Sequence, residues 1–259
     1  MQVPTMAELA AQGKQPEVLF WVGCAGSFDD RAKKITKAFV KLLNKANVSF
    51  AVLGTEESCT GDPAKRAGNE FLFQMQAMTN IEVLNGYEIK KIVTACPHCL
   101  NTIKNEYPQL GGEYEVLHHT QFLKSLMDEG RISIEGGQFK GKKITFHDPC
   151  YLGRGNDVYE APRELIEKLD AELVEMKRIK KNGFCCGAGG AQMFKEPEKG
   201  DKDVNVERTE EAIETQSEII ATGCPFCNTM LTDGVKFKEK EKTVKVYDIA
   251  ELLAEAHDL

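Results

Sequence analysis

Short apolar runs alternate along this chain with stretches whose apolar residues return every three to four positions. Residues 17–23 (EVLFWVG) form a run fit for a buried strand, 28–47 carry the period of an amphipathic helix, and 48–53 form a second strand. Residues 64–85 read as one long helix and 91–95 (KIVTA) as a strand, with a strand at 114–117 and a helix at 120–128. The order then repeats: strand 143–147 (KITFH), helix 161–169, strand 171–176, helix 203–216, strands 218–221 and 244–247, and a last helix, 248–257. A further helix is expected to start inside CPHC at 96–99, because proline suits a first helical turn.

Strands alternating with helices imply parallel sheets joined by right-handed crossovers. The expected fold is α/β, with two pseudo-symmetric Rossmann-like halves and the cysteines at the carboxyl ends of strands, where open α/β sheets bind ligands. The glycine-rich stretch 130–141, with a small hairpin, sets the expected boundary between a first half, 1–130, and a second, 131–259.

Composition narrows the classes. Hydrophobic residues make up 42%, enough for an ordinary core, and 33 basic against 40 acidic residues leave a net charge of −7. That balance argues against nucleic acid, which is bound through basic patches that neutralise phosphates. No apolar run approaches the roughly 18 residues of a membrane helix, and the first residues lack the basic head and apolar middle of a secretory signal. The expected location is cytoplasmic, or peripheral to a membrane complex. Nine cysteines, an odd number with no secretory signal, do not suggest a disulfide framework.

Their spacing changes the picture most. Cys24 and Cys59 have 34 residues between them, as do Cys150 and Cys185; 36 residues then precede Cys96 and 38 precede Cys224. Each half closes on Cys-Pro-x-Cys, CPHC at 96–99 and CPFC at 224–227. Offsets of 126 residues for the first two positions and 128 for the last two mark a duplicated unit. The copies differ at one place. Cys185-Cys186-Gly187 stands opposite Cys59-Thr60-Gly61, and a hydroxyl is too hard a ligand to replace a thiolate on soft iron. The two sites should therefore not carry the same group.

Thiolates gathered at helix starts and glycine turns suit iron–sulfur clusters. Four of them also make a closed tetrahedral zinc site, the competing reading, which is stronger for the first site than for the second. A thioredoxin-like dithiol explains neither the long-range spacing nor the doublet.

Cys150, Cys185-Cys186-Gly187 and CPFC resemble the cysteine-rich CCG domain family, found in the B and D components of heterodisulfide reductase. HDPCYLGRGN (147–156), EAPRE (160–164), CCGAGGAQMF (185–194), CTGDPAKRAGNE (59–70) and ACPHCLNTIKNEYPQLGGEYEVLHH (95–119) are similar to the large iron–sulfur oxidoreductases related to that enzyme. The resemblance implies a noncubane 4Fe-4S cluster on Cys150, Cys185, Cys186, Cys224 and Cys227. At Cys24, Cys59, Cys96 and Cys99 it implies an ordinary 4Fe-4S cluster or a zinc, because Thr60 breaks the motif. It also implies an oxidoreductase subunit, with disulfide/dithiol interconversion or electron relay as its chemistry, and a small-molecule substrate. The CxxCxxCxxxCP runs of larger relatives do not occur here, so a ferredoxin-like or flavoprotein partner is expected to carry electrons. The alternative is a non-catalytic scaffold module holding zinc or an inert cluster.

Other residues divide between chemistry and structure. His147 is a candidate proton donor to a substrate sulfur, a hydrogen-bond donor to a cluster sulfide, or simply an N–H closing a loop hydrogen bond, with Asp148 as its orienting partner or a helix cap. Arg154 and Arg163 are candidates for an anionic substrate or for offsetting cluster charge, and equally for surface salt bridges. His98 is placed to tune the first site. His118 and His119 read as loop residues, Lys65 and Arg66 as solvent-facing, Trp21 and Phe20 as core, and the charge run 236–242 as a solvated turn.

Overall fold

The computed structural model describes residues 3–134, 137–196 and 199–259. In β1 (Val18–Trp21) all four side chains are buried, with Val18 and Phe20 in one apolar cluster and Leu19 and Trp21 in another. A strand buried on both faces belongs inside a parallel sheet covered by helices. β1 pairs in parallel with β2 (Phe50–Ala51) and β3 (Lys91–Thr94), and β3 with β4 (Glu115–His118), giving the order β2-β1-β3-β4. β5 (Lys143–Phe146), β6 (Glu172–Leu173), β7 (Ile219–Thr222) and β8 (Lys245–Asp248) repeat it as β6-β5-β7-β8, again all parallel. The α/β reading of the apolar pattern holds.

The inner faces of both sheets share one core. Phe20 and Val93 from the first sheet, and Ile144, Phe146, Ile219 and Ala221 from the second, belong to a single cluster. Four helices fill it: Ala32–Lys45, His119–Asp128, Glu160–Lys168 and Ile249–Ala256. Their packing crosses the duplication, Ala32–Lys45 on Ile249–Ala256 and His119–Asp128 on Glu160–Lys168. Each fully buried Leu or Phe there contributes about 1.5–3 kcal/mol. An ion pair such as Arg31–Glu251 (2.6 Å), which also crosses between the sheets, adds about 1 kcal/mol at most where exposed. Apolar burial therefore fixes how the sheets meet.

Several boundaries differ from the apolar pattern. The helix expected over 64–85 is two, Asp62–Arg66 and Glu70–Gly86, because Gly68 takes a left-handed φ of 87° and Asn69 restarts the chain by accepting the Leu72 N–H at 3.0 Å. The helix expected over 28–47 spans Ala32–Lys45, and a separate short helix, Gly23–Phe28, precedes it. The strands at 48–53 and 171–176 shrink to two residues each. The hairpin expected within 130–141 falls partly on Glu135 and Gly136, outside the described residues; the described remainder has no strand.

His118 and His119 do more than close a loop. The His119 imidazole lies 2.7 Å from Asp248 and 3.2 Å from His118, which in turn meets Thr120 at 2.7 Å. His118 and Asp248 end β4 and β8 and cap the helices that follow. The relay therefore joins corresponding points of the two sheets. Burial, then the neighbouring His119, holds His118 well below its ordinary value of 6.5. A histidine depressed in this way binds fewer protons folded than unfolded, so its contribution is full above about pH 6.5 and is lost on acidification below it. Stability measured by denaturant titration should fall as pH drops below 6.5, and His118→Gln should flatten that slope.

Candidate functional site

In both sheets the order reverses between the two central strands, β1 and β3 or β5 and β7. Open α/β sheets bind ligands at the carboxyl ends of such strands. Cys24 follows β1, Cys96 follows β3, Cys150 follows β5 and Cys224 follows β7. Cys96 and Cys224 are the residues before helices Pro97–Asn101 and Pro225–Phe237, so each Cys-Pro-x-Cys opens a helix, with Cys99 and Cys227 in its first turn. Cys59 and Cys185 depart from the strand-end expectation. They sit on long loops and return to the site through the glycines that follow.

Those glycines are matched. Gly61 and Gly187 have φ of 89° and 91°, a left-handed turn that costs other residues about 1–2 kcal/mol. The Gly187 N–H thereby reaches the Cys185 sulfur at 3.3 Å, and the Gly61 N–H likewise helps lower Cys59. In the second site, hydrogen bonds from Cys150 and then Cys186 make Cys185 the most acidic thiol, well below its ordinary value. In the first site the hydrogen bond from Cys24 brings Cys59 down to about 6. Cys96 falls to about 7 through Cys99, against its own burial. Each site has a buried Cys-Pro-x-Cys pair and a partly exposed pair, Cys24 with Cys59 and Cys150 with Cys185.

The fifth position separates the two. Cys186 is buried and in hydrogen-bonding contact with Cys227. Its counterpart Thr60 is buried too, with its hydroxyl 4.0 Å from the sulfur of Cys99. The imidazole of His147 lies with Cys186 and Cys227, the ligand atoms all within 4.8 Å of one another. Arg208, itself fully buried, donates from Nε to His147 Nδ1 at 3.0 Å, which leaves the proton on Nε2. That Nε2 is buried and has no hydrogen-bond partner among the described residues. Burial and then the Arg208 charge lower His147 to about 3, so the ring is neutral at ordinary pH.

The two sites are neighbours. His98 and Phe226, the variable residues of the two Cys-Pro-x-Cys segments, meet edge to face with ring centroids 5.6 Å apart. His98 also lies 4.6 Å from the Tyr151 ring and 3.0 Å from Asp62. Burial opposes its charge, yet the Asp62 hydrogen bond and the fields of Cys96 and Cys224, one from each site, raise it to about 9.

A duplicated thiol set of this kind is characteristic. The pattern of the cysteine-rich domain, CCG, matches residues 18–104 and 144–232, most of the chain in two copies. The chain belongs to the cysteine-rich CCG domain family. It is 49% identical over 98% of its length to a probable iron-sulfur-binding oxidoreductase, FadF, of Bacillus subtilis, and 47% identical over 96% to the EtfAB:quinone oxidoreductase of Syntrophomonas wolfei. It is also 35% identical over 93% to the D component of the dihydromethanophenazine:CoB–CoM heterodisulfide reductase of Methanosarcina barkeri. The chain spans 36%, 35% and 59% of these relatives' own lengths.

Outside the CCG cysteines, the structure distributes roles differently from the sequence reading. Arg154 is exposed and donates to the Gly183 carbonyl at 2.5 Å, bracing the loop ahead of Cys185. Arg163 is buried and engaged by Asp148 and Glu175 at 2.6–3.2 Å, and Asp148 also accepts the Lys180 N–H. Asp148 thus holds Arg163 and the N–H that opens the short 3-10 helix Lys180–Asn182, and among the described residues it makes no hydrogen bond to His147. Arg66 is paired with Asp62 and Glu106, and Lys65 lies 3.2 Å from Glu106 and over the Phe73 ring, so neither is a free surface charge.

Three supporting residues escape the sequence. Asn80, fully buried, donates to the Cys59 carbonyl at 3.0 Å and to Tyr107 at 3.1 Å; Tyr107 donates to the Thr60 carbonyl at 3.2 Å. Glu57 accepts the N–H groups of Val22 and Gly23 at 2.9 and 2.6 Å. The one available signal is polar Asn80 among Ala77, Ile81 and Leu84 on a buried helix face. Both glycines are testable. A Cβ on Gly61 would lie 2.8 Å from the Phe73 ring, and one on Gly187 3.2 Å from Val204 Cβ. In urea titrations of the metal-free chain Gly187→Ala should cost about 1–3 kcal/mol for the strained turn, and Gly61→Ala more because of the closer contact.

Proposed function

We propose that the chain is an iron–sulfur electron-transfer module of an oxidoreductase, with a noncubane 4Fe-4S cluster on Cys150, Cys185, Cys186, Cys224 and Cys227. The observation that carries this reading is the convergence of five thiols, a glycine N–H on the Cys185 sulfur and a neutral imidazole whose Nε2–H lacks a partner among the described residues. Such a donor set fits sulfur-rich iron, which cysteine thiolates hold and nearby N–H groups tune. When bound, the cluster supplies one-electron redox chemistry. His147 serves as an N–H donor to it, since a ring held neutral down to about pH 3 is a poor acid catalyst near pH 7.

Cys24, Cys59, Cys96 and Cys99 would hold an ordinary 4Fe-4S cluster. A zinc is the second reading there, supported by the four-thiol count and the Thr60 substitution. Contact of His98 with Phe226, between the two thiol sets, supports electron passage from one site to the other. The partly exposed pair Cys150 and Cys185 marks the side from which a small-molecule substrate, a disulfide among the candidates, or a ferredoxin-like or flavoprotein partner would approach. Arg154, beside that side, would steer an anionic substrate. The names of the relatives support this reading, one naming EtfAB and quinone, another a heterodisulfide. Among the described residues no helix is long and apolar enough to cross a membrane.

Anaerobic purification with iron, sulfide and zinc analysis and electron paramagnetic resonance tests the assignment. Zinc in both sites would leave only the scaffold role. Cys186→Ser should alter the second-site signal and spare the first. Thr60→Cys should convert the first-site spectrum toward that of the second, since it supplies the missing thiolate beside Cys99.

A further inference from the structure

The duplication repeats a donor as well as the thiols. His147 stands just past β5 ahead of Cys150, and Trp21 holds the corresponding place at the end of β1 ahead of Cys24. The backbone agrees: Trp21 is paired with Thr94, which leads into Cys96, and the His147 N–H donates to Ala221, one residue before Thr222 and ahead of Gly223 and Cys224. Both side chains are buried, Trp21 to 0% exposure and His147 to 1%. Among the described residues both carry a ring N–H without a hydrogen-bond partner, Trp21 Nε1 and His147 Nε2. Trp21 lines the small cavity bounded by Cys24, Cys59, Cys96 and Cys99.

A buried donor with no acceptor costs about 1–3 kcal/mol. Two such donors at corresponding positions, each against a thiol cluster, point to one cause. We propose that Trp21 is the first site's hydrogen-bond donor, its indole N–H directed to a thiolate or sulfide sulfur of the metal group held there. The role parallels that of His147 at the second site, and it rests on the reading that the first site binds metal. Donation to sulfur favours the more negative, reduced state and so raises a cluster's potential. An indole never ionises in this range and cannot itself become a ligand, whereas an imidazole can. The two donors therefore make the sites differ in a second respect, beyond Thr60.

Trp21→Phe keeps an aromatic ring and removes the N–H; Trp21→His restores an N–H of the second site's type. Thermal unfolding of each chain is measured anaerobically, metal-free and reconstituted, with iron, sulfide and zinc counted in every sample. The rise in melting temperature on loading should shrink in Trp21→Phe, with the metal-free form unchanged or more stable, and recover in part in Trp21→His. If the first site holds a cluster, its midpoint potential should move negative in Trp21→Phe while that of the second site stays in place. Equal losses in the loaded and metal-free forms would reduce Trp21 to a packing residue and overturn the proposal. A parent chain with no metal at the first site would overturn the metal reading itself, and the metal counts separate that outcome from the other.

Discussion

Everything at the cysteine-bearing rim depends on the burial of both inner sheet faces against one layer of four helices. Val18, Phe20 and Val93 on one side and Ile144, Phe146 and Ile219 on the other can leave water only if the sheets face each other across that layer. Its many apolar side chains, at about 1.5–3 kcal/mol each, far outweigh the ion pairs that also cross it. The arrangement brings the carboxyl ends of β1, β3, β5 and β7 toward a common region, where the two Cys-Pro-x-Cys turns meet through His98 and Phe226. Without the shared core these would be two separate thiol sets on two small sheets.

Within that frame each site is built by the same local means. A helix start places two thiols one turn apart, a left-handed glycine folds a loop thiol back, and its N–H binds the sulfur. The differences lie at single positions. Thr60 faces Cys99 where Cys186 faces Cys227, and the Trp21 indole stands where the His147 imidazole does. The first changes how many soft ligands are offered; the second changes the N–H donor presented to sulfur. A duplicated scaffold in this way carries two unequal thiol sets a few side chains apart.

Much of this is legible in the chain. Apolar runs and helical periods indicate the alternating elements, and the offsets of 126 and 128 residues align the two copies. The break in the long helix over 64–85 is hidden because Gly68 and Asn69 interrupt it locally while its apolar content continues. The pairing of Arg163, Lys65 and Arg66 is hidden because a charged side chain gives no sign in sequence of whether a carboxylate waits nearby.

The sequence by itself determined the cysteine set and its spacing, the repeat, the parallel α/β class and the asymmetry at Thr60, since these follow from residue identity and spacing. Only the tertiary structure decided that the two sites adjoin, that Arg208 fixes the tautomer of His147, that Asn80 and Tyr107 clamp the Cys59 loop, and that the Trp21 N–H has no partner among the described residues. The physical reason is common to all four. Each depends on groups far apart in the chain brought within a few ångströms by packing, and periodicity reports the face of an element, not the neighbour that face will meet.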